Sequence, residues 1–557
     1  MLASLLASSS AREGKAVERA RALRAAGHAG QARRELESLL ASGHQDPRVL
    51  EEFAGCCAAE RRWADAARAW EALLTLAPDH PEAGFALANL GLRKLGRYRT
   101  AIAFYRTVGA DDPRYREAQA CLAAAHYEVG EVEASLAIYR AHLARAPADP
   151  MRQDYVFRLN AAAGVSPDEI FREHRAWAAL HADPLPRRRV RPERTAGRRL
   201  RIGYLGSDFR THATAAFLEP LLAHHDRDRF ETVCYSNSTA EDAVTARMRA
   251  SVEDWQPIDR LDDDAVTDLI EADRLDVLVD LAGHTASERL GVFARRPAPV
   301  QIAYLGYLNT TGMSAMDFRI TDALMDPVGT SERYHTEQLL RLPHSLWCYR
   351  PPDDAPAVPL RTGSREIVFG SFNHVARLND RVLSLWARLL RAVPRSRLLM
   401  LGIPDLQTEA RIAGVLVEAG VARERLEMRA RVPTGAFWAA LGEADIALDT
   451  FPYSGGATTC ACLWMGVPVV TLPSRFGFGR SAATIVGNAG FGELAALDEE
   501  AYLAIAAKLA RDVATLDDLR GSLRDRMLGS RLADEAGLAR AFEAALQGAV
   551  HACEVRA

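Results

Sequence analysis

ALDTFPYSGGATTCACLWMGVPVVTL, residues 447–472, decides how the chain is read. A short apolar run ends at Asp449, and a turn follows with Pro452, Gly455 and Gly456. Thr458 and Thr459 then open a helix-like segment, and a second apolar run begins at Val467. Strand, glycine turn, helix start and strand make the geometry in which free backbone N–H groups face a phosphate. The glycines let backbone approach an anion with no Cβ in the way, and the threonine hydroxyls add donors. The stretch reads as a nucleotide or sugar-phosphate site, the alternative being an ordinary βα turn.

Outward from this stretch, short apolar runs rich in Val, Ile, Leu and Tyr alternate with helical segments. LRIGYLGSDF starts at Leu200, FETVCYSNS at Phe230, DVLVDLAGH at Asp276 and VQIAYLGYL at Val300. The rhythm restarts at Glu366 with EIVFGSFNH, SRLLMLGI, LEMRARV, ADIALDTF and PVVTL. Such runs predict buried parallel sheets with crossover helices. Residues 200–350 and 366–557 are thus expected to form two doubly wound α/β lobes, joined by a linker at 351–365. Helices are expected from about Glu499 onward, packed back across the structure. Two such lobes open a cleft between the carboxyl ends of their sheets, where ligands bind. Periodicity does not separate one two-domain α/β enzyme from another.

The front of the chain repeats. Gly27, Arg61, Gly96 and Gly130 occupy equivalent places, as do Ala32, Ala66, Ala101 and Ser135, and Leu36, Trp70, Tyr105 and Tyr139. The spacings are 34, 35 and 34 residues, with prolines closing the last three units. This is the tetratricopeptide pattern, in which each helical hairpin buries its face only against its neighbours. Such an array is a groove for a protein partner, or a stabilising helical cap with none. Residues 1–182 are grouped as these repeats and their connecting helices, and the basic stretch 183–199 as a solvated linker.

Composition narrows the classes. With 557 residues, 48% of them hydrophobic and 25% charged, the chain suits roughly three or four globular units. A net charge of −4 argues against a nucleic-acid binder. Eight cysteines in this length make no disulfide framework, and Cys460 and Cys462 have no second pair at zinc spacing. The opening MLASLLASSSAREGK lacks a basic n-region, and no apolar stretch reaches membrane-spanning length, so a cytoplasmic location with no membrane partner is expected.

Polar groups collect where the strands end. Ser207, Asp208, His212 and Thr214 follow the first run; Asp280, Gly283, His284 and Thr285 stand at the end of the run that begins at Asp276. Gln301, Tyr304, Asn309, Thr310 and Thr311 come next, and Asn373, His374 and Arg377 follow the first run of the second half. Histidines at strand ends serve as acid or base near neutral pH, or as hydrogen-bonded structural residues. Arg377 offers a permanent charge and a forked donor suited to phosphate, or a surface salt bridge.

The segments SDFRTHAT, DLAGHTASERLGVFARRPAPVQIAYLGYLNTTG, MDFRITDALMDP, FGSFNHVARL and LDTFPYSGGATTCACLWMGVPVVTL resemble the O-GlcNAc transferase/SPINDLY family of protein glycosyltransferases. The likeness runs in order from residue 200 to about 545, behind the repeats that family also carries. GHT, NTTG and FPYSGG look closer to the SPINDLY branch, in a bacterial form. The resemblance implies an α-solenoid followed by a GT-B glycosyltransferase of two Rossmann-like domains. By motif, His212 falls on the family's histidine beside acceptor and donor, a candidate base. His284 and Thr285 fall in the loop near the donor sugar. Asn373 and Arg377 fall on the loop that contacts the donor diphosphate. Gly455, Gly456, Ala457, Thr458 and Thr459 fall on the phosphate-binding turn and helix start. Inverting transfer to Ser or Thr follows, with a nucleotide sugar as co-substrate, no other cofactor and no metal.

Three positions depart from the family pattern. Its diphosphate lysine is Arg377, a histidine or threonine of the turn is Gly456, and an acidic residue expected to hold the ribose is Ala461. Asp449 is the alternative for that ribose contact. The donor therefore stays open among UDP-GlcNAc, which the family favours, GDP-fucose and a CMP-linked nonulosonic acid such as modifies flagellin. A reading from another class is a repeat scaffold whose transferase half only binds.

Overall fold

The computed structural model describes residues 2–44, 46–188, 190, 197–359, 366–474 and 477–556. The chain divides into two compact units, Met1–His142 and Leu143–Ala557.

The first unit is built of helical hairpins. Leu2–Ala25 turns into Ala29–Ala41, Pro47–Ala59 into Trp63–Leu76, and Tyr115–Glu128 into Val132–Leu143. Ala83–Leu90 runs on through a π-helical turn, Gly91–Leu95, before Tyr98–Tyr105. Gly27, Gly96 and Gly130 each end the first helix of a pair with φ of +83°, +65° and +76°. Arg61 holds the same left-handed backbone at +58°, so the position selects for the turn, and glycine is its unstrained solution. Ala32, Ala66, Ala101 and Ser135 are completely buried, where only a small side chain lets two helices approach.

The second unit carries two parallel sheets. In the first, β1 (Leu200–Gly206), β2 (Phe230–Ser236), β3 (Asp254–Pro257), β4 (Val277–Asp280), β5 (Val300–Ala303), β6 (Phe318–Asp322) and β7 (Gln338–Leu342) lie in the order β3-β2-β1-β4-β5-β6-β7. In the second, β8 (Ile367–Ser371), β9 (Ser396–Leu401), β10 (Leu426–Arg429), β11 (Ile446–Leu448) and β12 (Val469–Val470) lie in the order β10-β9-β8-β11-β12. Both sheets reverse strand order beside their first strand, β1 against β4 and β8 against β11. Such a switch point opens a crevice at the strands' carboxyl ends.

Three strands escape the apolar-run criterion. β3 (DWQP) and β7 (QLLRL) are edges with partly exposed side chains. β6 (FRITD) is wholly buried yet carries Arg319, whose charge is met by the buried Asp326 at 2.6 Å.

The helices after residue 150 belong with the second unit rather than with the first. From Met151–Leu159 and the residue after it, Asn160 donates to the Tyr307 hydroxyl at 3.0 Å. From Pro167–His181, His174 bonds the same hydroxyl at 2.6 Å. Asp183 accepts from Ser314, and Arg188 donates to Asp268, so the start of the basic stretch is tied down as well. The rest of that linker at 189 and 191–196, and 360–365 of the second linker, lie outside the described residues. At the far end, helix Glu535–Arg556 returns to the first lobe, with Phe542 between Tyr204 and Tyr304 and Glu543 bonded to His225 at 3.0 Å.

Among the described residues no helix is long and apolar enough to cross a membrane, and all eight cysteines are free.

Candidate active site

The site grows from the end of β11. Asp449 is 2% exposed, and one of its carboxylate oxygens accepts from Gly455 N–H at 2.8 Å and from the Asn373 amide at 3.0 Å. The other accepts from the Thr471 hydroxyl at 2.7 Å. Burial pushes this carboxyl up to about 6 against those hydrogen bonds. Its oxygens are thus spent on the turn and its neighbours; the ribose contact considered for Asp449 has no support in this arrangement.

The clamp shapes the glycine turn. A Cβ on Gly455 would stand 2.8 Å from the Thr459 hydroxyl and 2.9 Å from the Asn373 carbonyl oxygen, so any larger residue must displace those side chains. Gly456 faces open space and caps helix Ala457–Trp464 without a side chain. The first amides of that helix have no intrahelical acceptor and carry the positive end of its dipole. Thr459 is buried and Thr458 half-buried beside them. The Asn373 carbonyl oxygen is buried with no hydrogen-bond partner, which leaves an acceptor available at the turn. Ala461, at the position expected to be acidic, is 4% exposed.

Arg377 arrives from β8 on a short 3-10 turn, Val375–Arg377. It donates to the Ser454 carbonyl at 2.7 Å and lies over the Tyr453 ring at 3.8 Å. Asn373, Arg377, Gly455, Gly456, Ala457, Thr458 and Thr459 therefore come together at the β8/β11 switch point. A forked cation, free amides and two hydroxyls gathered about one turn suit a phosphate or diphosphate.

The first lobe contributes His212, on the loop after β1. Its Nδ1 lies 3.2 Å from Asp208 and 3.2 Å from the Thr214 hydroxyl. Loss of surrounding water lowers its pKa, and the Asp208 charge opposes that. Thr214 N–H also reaches Nδ1 at 3.3 Å, while Nε2 makes no hydrogen bond among the described residues. The loop is held by Asp242, which accepts from Thr211 N–H at 2.8 Å. No bond or ring contact among the described residues joins His212 to the Arg377 group.

His284 departs from expectation. Expected in the loop near the donor sugar, it is 2% exposed, with Nε2 donating to the Thr311 carbonyl at 2.9 Å and Nδ1 meeting the Gln153 amide at 3.0 Å. Trp177, His174 and Tyr307 pack around the ring at 4.5, 5.0 and 5.2 Å. Burial first, then the neighbouring His174, drives its pKa well below the ordinary range. Such a ring pins helices to the lobe and has no nitrogen left for a ligand. Thr285 spends its hydroxyl on the Ala282 carbonyl at 2.8 Å. Sequence reasoning missed the partners of these residues, Gln153, His174 and Tyr307, which lie far apart in the chain.

Among the described residues, no cluster of three or more His, Cys, Asp or Glu side chains is placed to hold a metal ion.

Residues 178–349 and 360–540 match the model of glycosyl transferase family 41. The "Probable UDP-N-acetylglucosamine–peptide N-acetylglucosaminyltransferase SPINDLY" of Hordeum vulgare is 37% identical over 412 residues, covering 72% of this chain and 43% of its own length. That of Arabidopsis thaliana is 37% identical over 397 residues, covering 68% of this chain and 42% of its own. The chain thus spans about two fifths of these curated relatives. A solved Thermobaculum terrenum O-GlcNAc transferase mutant superposes with a TM-score of 0.83 at 35% identity, over 92% of this chain and 98% of that one.

Proposed function

Since the chain belongs to glycosyl transferase family 41, we propose that it moves a sugar from a nucleotide-sugar donor to a Ser or Thr hydroxyl of a protein, with inversion. The carrying observation is that Arg377 bonds the Ser454 carbonyl at the start of the 455–459 turn, while Asp449 ties Asn373 to Gly455 at the same sheet switch point. In this reading the donor diphosphate lies on the helix start, with Arg377 beside it. The acceptor oxygen bonds to the anomeric carbon while the sugar–phosphate bond breaks, and the electron pair leaves on the phosphate oxygen. Arg377 and the helix dipole stabilise that developing charge. The hydroxyl proton passes to a base, and His212 is the candidate because loss of surrounding water favours its neutral form and Nε2 is left unbonded. Protein acceptors would be recruited by the helical repeats, and no metal is called for in this scheme.

UDP-GlcNAc is the donor favoured by the names of the relatives. Ala461 in place of a ribose carboxylate favours a second reading, GDP-fucose or a CMP-nonulosonic acid at the same turn. A thermal-shift panel of UDP, GDP, CMP and their sugars separates these, because a ligand that binds only the folded state raises the midpoint. The expected result is a shift with UDP and UDP-GlcNAc, and mass-spectrometric detection of transfer that Arg377→Ala and His212→Ala abolish. A chain that binds a nucleotide yet transfers from none of the donors is the scaffold of the rival reading.

A further inference from the structure

Phe478 stands where the two lobes touch, and its contacts lead to Arg377. Its ring packs edge-on against Tyr307 of the first lobe at 5.1 Å, and tilted, at 58°, against Tyr453 of the second at 4.7 Å. Tyr453 is the ring on which the Arg377 guanidinium rests at 3.8 Å. The backbone makes a parallel path. Phe478 C=O accepts from Ser454 N–H at 3.3 Å and from the Ser454 hydroxyl at 3.2 Å, and Ser454 C=O accepts from Arg377 at 2.7 Å. The approach is tight: a Cβ on Gly477 would meet the Leu308 carbonyl oxygen at 2.1 Å. Tyr307 is itself immobilised, its hydroxyl bonded to both His174 and Asn160.

We propose that Phe478 is a positioning residue that sets the Arg377 guanidinium beside the glycine turn by wedging Tyr453 against Tyr307 of the opposite lobe. The proposal rests on Arg377 binding the donor phosphates. A guanidinium has five N–H donors in a rigid fork, so a tilt of the Tyr453 ring redirects every donor not spent on Ser454. Aromatic pairs prefer edge-to-face packing with centroids a few ångströms apart, and an aliphatic side chain in place of Phe478 fills the space without holding the ring angle. The position of the first lobe is thereby transmitted to the cation that meets the leaving group.

The test is UDP titration and initial-rate kinetics on the full chain, with Phe478→Leu, Arg377→Ala and the double variant. Phe491→Leu is the control, an equally buried ring of the same lobe that lies outside this chain of contacts. Phe478→Leu is expected to weaken UDP binding by about tenfold, since small misplacement of an orienting group costs of that order or more. Phe491→Leu should lower the melting temperature and leave UDP affinity within twofold. In the Arg377→Ala background the Phe478→Leu loss should vanish, because nothing remains to be positioned. Equal UDP affinity of Phe478→Leu and wild type, or the same loss with and without Arg377, overturns the inference alone. Wild-type chain that binds none of UDP, GDP and CMP overturns the donor-site reading and the inference with it.

Discussion

Asp449 shows what a single residue does here. Its carboxylate is buried and holds Gly455, Asn373 and Thr471 by hydrogen bonds. Asp449→Ala strands at least two buried donors, at roughly 1–3 kcal/mol each. The pH effect follows from the direction of the shift. The folded-state value is raised from 3.8 to about 6, so the folded chain binds the extra proton between those values. Stability from this group is therefore full below pH 3.8 and lost as pH rises through about 6. Urea midpoints of wild type minus Asp449→Asn should fall across that window and be flat above it. The sequence marked Asp449 as the last residue of an apolar run, but its role as a clamp depends on Thr471 and Asn373, which pairing of neighbouring strands brings in from 22 and 76 positions away.

At the scale of elements, helix Asp380–Ala392 connects the site to the core. Asn379 caps it, accepting from Val382 N–H at 3.0 Å, and the same side chain donates to the Phe451 carbonyl at 2.6 Å. The cap thus fastens the start of this helix to the segment after β11. Loss of an N-cap costs about 1 kcal/mol, and Asn379→Ala removes the Phe451 bond as well. A fall in melting temperature together with weaker UDP binding is expected, whereas Asn379→Asp restores the cap alone and should recover stability without the affinity. Most strands were legible because a doubly covered parallel strand must be a continuous apolar run. β6 was not, because the ion pair of Arg319 with Asp326 lets a charged residue into the sheet, and a strand's partner for such a charge is invisible in the strand itself.

For the whole second unit, the joint between helices 151–181 and the first lobe is a pH-sensitive element. His174 is held to about 4 by burial, and His284 is driven well below its ordinary value of 6.5. Both are neutral inside, and their folded pKa values lie below the unfolded one. The stability they preserve is present above pH 6.5 and lost as pH falls from there through about 4. The melting temperature should drop across that range with proton uptake, and His174→Gln should flatten the drop. The repeat unit is a separate compact body, so a thermal scan read at probes in each unit distinguishes this acid limb from repeat melting.

Much was set by local chemistry alone. The left-handed positions at Gly27, Arg61, Gly96 and Gly130, the alternation of apolar runs with helices, and the glycine turn at 455–456 all follow from short-range sterics and hydrophobic period, which neighbouring residues carry. Tertiary structure alone decided which polar residues are reachable. His212 and His284 look alike as histidines after strands, yet one keeps a free nitrogen while the other is closed in by Gln153, Thr311 and Trp177. Burial is a property of what the rest of the chain stacks on a residue, and no stretch of sequence states its own neighbours.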